Sequence, residues 1–145
     1  HLAGATAGVA TLAALQSHPA LGPEPKRLHD DIQEDKRALE DIIRRLGIVE
    51  SAVRQAAGWV AERVAEAKIL VDDPSSGALR ELELLESIAI GVHGKRCLWT
   101  TLQSLADDGL PLQTIDFARL VERADDQRVR IEALRMNAAR RALAA

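Results

Sequence analysis

Apolar residues recur at alternating spacings of three and four along several stretches of the chain, which is the period of an amphipathic helix. The longest stretch runs from Ser75 to Asp107, and its apolar residues cover more than one narrow stripe, which suits a helix with neighbours on two sides. Three further bundle helices are predicted from about His1 to Ser17, from about Pro25 to Leu46, and from a cap at Thr114 or Asp116 to about Ala142. Turn-forming residues separate these stretches and no strand-like alternation appears. The pattern therefore predicts one all-α domain over residues 1–145.

The interval between the second predicted helix and the Ser75–Asp107 helix determines the kind of bundle. It contains a further predicted helix, which begins at the candidate N-cap Ser51 and ends at about Leu70. A few residues suffice to join antiparallel neighbours, whereas about 20 helical residues carry the chain back along the length of a bundle. We therefore expect the flanking helices to run parallel. The sequence predicts a four-helix bundle with an additional helical crossover between its second and third helices.

The second predicted helix carries a resemblance to a known superfamily. Its sequence, LHDDIQEDKRALEDIIRRLGI from Leu28 to Ile48, has an early histidine, acids one turn later, then leucine, two isoleucines and a terminal Leu-Gly. Together with the crossover, this segment resembles ferritin-like stress proteins of bacteria over roughly the first half of the chain. The resemblance implies a ferritin-like four-helix bundle that is often dimeric or larger. Many members of the superfamily hold two irons, and some have lost them.

The metal ligands of such a bundle follow a strict pattern. A di-iron carboxylate bundle needs a Glu from each of two helices and a Glu-x-x-His from each of the other two. No such motif occurs, since Leu15, Lys26 and Ile90 lie three positions before the three later histidines. We therefore expect no metal, no cofactor and no catalytic residue. An all-carboxylate alternative stays open, in which iron or manganese binds acids spaced three apart: Asp31, Glu34, Glu83 and Glu86.

Polar residues within apolar seams indicate a buried network. Asp35 interrupts the seam of the second helix, and Gln127 interrupts that of the last. On the long helix, Arg96 falls within the apolar arc. Because an unpaired buried ion costs several kcal/mol, we expect Asp35 to pair with Arg96 or Lys95. The network predicted from these positions and from the edge of the arc consists of Asp35, Glu86, His93, Lys95 and Arg96, with Glu86 close to His93. It either fixes helix register or forms a small polar pocket, a relic of a metal site.

Composition and charge narrow the possible settings and partners. The formal net charge of −3 provides no basic field, so we expect no nucleic-acid partner. Leu2 to Leu15 is too short to span a membrane, and we interpret it as a buried helix. Cys97 is the single cysteine, which favours a reduced cytoplasmic setting, and we expect it to be buried as a small hydrophobe. Gly91 and Gly94 within the long helix predict close contact with the glycine-containing first helix or, as the alternative, a hinge or kink in the long helix.

These features favour a non-catalytic cytoplasmic bundle that acts by self-association, as a homodimer, or by binding a protein partner. The competing function is a carboxylate-ligated di-metal bundle of binding or oxidase type. The end of the chain is rich in arginine, opposed there by Glu132 alone. This basic end is either a solvated face or a surface that docks on the acidic region 72–86 of a second copy.

Overall fold

The computed structural model describes residues 1–48 and 77–143, and these residues form helices and turns without a strand. The α-helices of the described residues are α1 (Leu2–Leu15), α2 (Glu24–Arg45), α3 (Gly77–Asp107) and α4 (Phe117–Leu143), with a short 3-10 helix at Pro19–Leu21. The prediction of an all-α bundle is therefore confirmed for this part of the chain, with helix ends close to the expected residues. The helix predicted from Ser51 to Leu70 lies outside the described residues.

Local backbone chemistry explains where these helices begin and end. Pro25 lies in the first turn of α2, where a missing N–H breaks no helical hydrogen bond. Gly47 follows the end of α2 with φ 61°, in the left-handed region that glycine adopts without a steric penalty. Asp116 caps α4, because its Oδ1 accepts the backbone N–H of Arg119 at 2.9 Å. The other candidate cap, Thr114, instead accepts a hydrogen bond from Arg45 at 2.7 Å.

The directions of the helices follow from which residues meet. The close pairs are α1–α2, α3–α4, α1–α3 and α2–α4, so α2 and α3 lie diagonally across the bundle. Successive residues of α2 pair with α4 residues in reverse order, Glu24 with Arg130 at 3.0 Å and the later Glu34 with the earlier Arg123 at 2.6 Å, so these two helices are antiparallel. Early residues of both α2 and α3 share one apolar cluster and later residues of both share another. Helices α2 and α3 therefore run in the same direction, as the length of the intervening sequence predicts.

Among the described residues, the core consists of two apolar clusters, one in each half of the bundle. The first cluster includes Leu12, Leu28, Leu85 and Ile131, and the second includes Leu39, Ile42, Trp99 and Phe117. Each such side chain contributes about 1.5–3 kcal/mol when fully buried. Trp99 is fully buried in the second cluster. Between the two clusters, at mid-height, the core is polar.

Helix α1 packs without the tight glycine contacts that the sequence suggested. It carries no charged residue, and no described helix, α1 included, combines the length and hydrophobicity that a membrane span requires. A Cβ atom added at Gly4, Gly8 or Gly91 would meet no atom within 4 Å, and one at Gly94 would meet only His1, at 3.9 Å. The predicted close approach is wrong because these glycines border open space rather than a facing helix backbone.

Candidate functional site: a buried ion-pair network

The polar mid-height layer joins three helices through side chains that lie between the two apolar clusters. Lys95 of α3 donates from Nζ to Asp35 Oδ2 of α2 and to Gln127 Oε1 of α4. Gln127 completes a triangle, since its Nε2 donates to Asp35 Oδ2 at 2.9 Å. Arg123, one turn before Gln127, pairs with Asp35 Oδ1 and, at 2.6 Å, with Glu34 Oε1. We call Glu34, Asp35, Lys95, Arg123 and Gln127 the central network.

Burial is nearly complete at the middle of the central network. Asp35 is 1% exposed and Gln127 is 0% exposed. Two carboxylates and two cations balance formally, because Arg123 spans Asp35 and the more exposed Glu34. Removing one member of a buried pair leaves an uncompensated charge, which costs about 3–5 kcal/mol. Losing any one charged member of the central network is therefore expected to lower the stability of the fold strongly.

The protonation of Lys95 reflects two opposing influences. Burial lowers the pKa of the Lys95 ammonium, and the adjacent Asp35 carboxylate partly offsets this effect. Arg123 adds to the lowering of the Lys95 pKa because it brings a second positive charge close by. Since the amine is bonded to both Asp35 and Gln127, it is not presented to solvent as a free base or nucleophile.

Two of the five residues predicted for a core network belong to the central network, and three do not. Asp35 and Lys95 meet at its middle. Arg96 instead pairs with Asp125 at 2.8 Å on the side of α3 that faces α4. Glu86 is exposed and lies 3.5 Å from Arg135, and His93 is exposed beside Cys97. The expected contact between Glu86 and His93 is replaced by these separate partners, because both residues point outward from the bundle.

The central network also contains residues that the sequence did not assign to it. Gln127 gave a signal, because it interrupts the seam of α4 as Asp35 interrupts that of α2. Arg123 gave none, because it lies off that seam and reaches Asp35 only through the antiparallel packing of α2 and α4. Glu34 entered as a possible metal ligand, whereas in the structure its carboxylate binds Arg123.

The four carboxylates of the alternative metal site do not converge, and each binds an arginine. Asp31 pairs with Arg130, and Glu34 with Arg123. On α3, Glu83 lies 3.0 Å from Arg80, and Glu86 faces Arg135. Within residues 1–48 and 77–143, no group of three or more His, Cys, Asp or Glu side chains is arranged to hold a metal ion. The predicted set Asp31, Glu34, Glu83 and Glu86 is therefore not a preformed site.

The basic end of α4 binds acids of its own chain. Arg141 pairs with the buried carboxylate of Glu81, and Arg135 with Glu132 at 2.8 Å and with Glu86. Both Glu81 and Glu86 belong to the acidic region that the sequence offered as a docking surface on a second copy. Glu81 and Glu86 are thus already paired within one chain, and the docking of the basic end on a second copy stays a prediction.

The exposure of Cys97 corrects another expectation. The thiol was expected in the core, but it lies on the exposed face of α3, 3.8 Å from His93 Nε2. Helical spacing alone did not reveal this, because the apolar arc of α3 is wide and its edges are ambiguous.

Comparison with known proteins finds no matching family model, no similar curated protein and no similar solved structure.

Proposed function

We propose that the chain is a non-catalytic, ferritin-like helical bundle that acts by associating with a second copy of itself or with another protein. The helix directions support this class. Helices α1–α2 and α3–α4 form two antiparallel pairs, and residues 49–76 join the end of α2 to the start of α3 at the opposite end of the bundle. One long connection between two antiparallel pairs is the ferritin-like arrangement. A cytoplasmic setting remains a prediction from the single cysteine.

The central network is the observation that carries the non-catalytic part of the proposal. Di-metal bundles of this class place carboxylates and histidines at mid-height, where their negative charge is balanced by metal ions. Here the cations at mid-height are Lys95 and Arg123, which already neutralise Asp35 and Glu34. A divalent ion at this position would have to displace these cations at short range. The central network is thus suited to fixing helix register rather than to redox chemistry.

Exposed apolar side chains support the association part of the proposal. Ile90 of α3 is 74% exposed and Val129 of α4 is 71% exposed. Covering such branched side chains gains about 25 cal/mol per Å² of apolar surface. Helix α1 has no charged residue, so a partner that covers its surface pays no desolvation penalty for ions.

Metal analysis and sedimentation together test the proposal. Protein purified without chelator is expected to contain iron and manganese well below one ion per chain and to sediment as a dimer or larger species. Val129→Lys or Ile90→Lys should shift sedimentation toward the monomer, whereas Ser104→Lys, which adds the same charge at an exposed polar position of α3, should not. Stoichiometric iron or manganese that is lost in Glu34→Gln would contradict the non-catalytic assignment. A monomer that captures no protein partner would contradict the association.

A further inference from the structure

Exposed residues form two seams on the outer surface of the α3–α4 pair. The outer seam of α3 consists of Leu79, Glu83, Glu86 and Ile90, and that of α4 consists of Val129, Ala133, Met136, Arg140 and Leu143; every member is exposed. The spacings within each outer seam alternate between three and four, so its members share one side of the helix. Most of the large apolar side chains that the described residues expose belong to these two outer seams.

Two ion pairs show that the outer seams lie side by side. Glu86 lies 3.5 Å from Arg135, whose guanidinium also contacts the sulfur of Met136 at 3.2 Å, so this pair bridges the two seams at the surface. Farther along α3, Arg96 pairs with Asp125 at 2.8 Å. The step from Glu86 to Arg96 on α3 equals the step from Arg135 back to Asp125 on α4. The two pairs therefore fix one antiparallel register along both helices.

In this register the apolar residues of the two outer seams lie at the same heights. Leu79 is level with the end of α4 beside Leu143, and Ile90 is within one helical turn of Val129. Helices of 31 and 27 residues are each about 40 Å long and about 10 Å wide, so the pair offers a face of about 800 Å². One partner in a standard protein–protein interface buries about this area. The face is thus large enough to be covered by the same two helices of a second copy.

The charged members of the two outer seams have opposite signs. Those of α3 are Glu83 and Glu86, whereas that of α4 is Arg140. Arg140 donates to the neutral side chain of Asn137 at 3.2 Å, so this bond does not offset its charge. Each outer seam therefore complements the other in both charge and apolar content, and one chain carries both halves of a self-complementary interface.

We propose that α3 and α4 form a homodimer interface in which the outer seam of α3 packs on the outer seam of α4 of a second copy. The two-fold axis runs parallel to the helices, and because α3 and α4 are antiparallel it brings the two seams together at equal heights. Leu79 then meets Leu143 of the second copy, Glu83 lies near its Arg140, and Ile90 lies beside its Val129. The interface rests on the proposed association and specifies both the partner and the face.

Charge excludes the other two-fold arrangement of this face, in which the axis is perpendicular to the helices. That axis packs α3 on α3 of the second copy. The register that covers Leu79 with Ile90 then sets Glu83 opposite Glu86 in both symmetry-related contacts. Like charges placed directly opposite each other oppose association, whereas the parallel axis sets Glu83 near Arg140.

Charge reversal tests the proposed contacts, with the dimer dissociation constant of the full chain measured by sedimentation equilibrium. Glu83→Arg and Arg140→Glu each place like charges near each other at both symmetry-related contacts, so each should raise the constant by more than about tenfold. The double variant restores opposite charges and should return the constant close to the wild-type value. Glu40→Arg, which reverses an exposed acid of α2, is the matched control and should leave the constant unchanged.

Disulfide trapping distinguishes the two axis directions. In a Cys97→Ser background, chains with Ile90→Cys and chains with Val129→Cys should form a disulfide-linked dimer on mild oxidation when the two are combined, and neither should do so alone. The perpendicular axis would pair Val129 with Leu143 and so bring the two copies of Met136 together, because Met136 lies midway between them. Met136→Cys alone should therefore not cross-link with itself.

The results that would overturn the interface differ from those that would overturn the association. Charge reversals that leave the dissociation constant of a dimer unchanged, or a Met136→Cys chain that cross-links with itself, would overturn the interface and leave the association intact. A wild type that stays monomeric would overturn the interface and leave another protein as the partner. Because every substituted residue is exposed, circular dichroism should show the same helical content in all variants.

Discussion

Arg123 and Arg130 lie two turns apart on α4, and both bind acids of α2, but their surroundings differ. Arg123 shares Asp35, which is 1% exposed, with Lys95. Arg130 binds acids that all retain access to water, and it has three of them: Glu24, Asp31 and Asp126. Exposed ion pairs contribute about 0–1 kcal/mol, whereas breaking a buried pair costs about 3–5 kcal/mol. The same residue types therefore contribute strongly to the stability of the bundle where they are buried and only weakly where they are accessible to water.

The largest expected effect is that of Asp35→Leu. This substitution leaves the Lys95 ammonium buried without its counter-ion and Arg123 with Glu34 alone. We expect the free energy of unfolding to fall by about 3–5 kcal/mol, measured by urea denaturation monitored by circular dichroism. An unchanged denaturation midpoint would show that the central network does not stabilise the fold.

A smaller loss is expected for Gln127→Leu. This substitution keeps the volume of the side chain but removes the acceptor of one Lys95 hydrogen bond and one donor to Asp35. A buried polar group left without its partner costs about 1–3 kcal/mol. Urea denaturation measures the change, and a gain in stability would mean that Lys95 and Asp35 are satisfied without the amide.

The central network should also give a pH dependence that Lys95→Met removes. The pKa of Lys95 is lowered in the folded state from its usual 10.5. Between the lowered pKa and 10.5 the unfolded chain therefore holds a proton that the folded chain has lost. The stability of the wild type relative to Lys95→Met should then rise with pH in this window, by at most about 1.4 kcal/mol per pH unit. Denaturation curves at pH 8 to 10.5 measure the difference, and a flat or falling difference would contradict the lowered pKa.

The smallest expected effect is that of Asp31→Leu, one turn before Asp35 on the same helix. Asp31 is 32% exposed, and Arg130 keeps Glu24 and Asp126 when it is removed. We expect a loss below about 1 kcal/mol. A loss as large as that of Asp35→Leu would remove the distinction between the two arginines.

Much of the fold could be predicted because helical periodicity is a local property. The apolar seam of α2 correctly predicted the helix, the face that it turns toward the core, and the burial of Asp35. The pattern could not decide whether Lys95 or Arg96 is the partner of Asp35. Neighbouring residues differ by only about 100° around a helix, and the apolar arc of α3 is wide enough to include both directions. Lys95 is the inward residue, and Arg96 faces α4.

Contacts between distant elements left little trace in the sequence. Arg123 lies off its seam, and its role depends on the antiparallel alignment of α4 with α2. The glycines led to a wrong prediction of close contact between α1 and α3. Their spacing shows which residues share a helix face but not whether that face contacts another helix.

A double-mutant cycle between Asp35 and Lys95 tests most directly whether a buried ion pair at mid-height holds this bundle together. Asp35→Leu and Lys95→Met are measured separately and together by urea denaturation. If the pair holds the bundle together, the double variant should lose less stability than the sum of the two single losses, with a coupling energy of about 1–3 kcal/mol. Costs that simply add, so that the coupling energy is zero, would contradict this role of the pair.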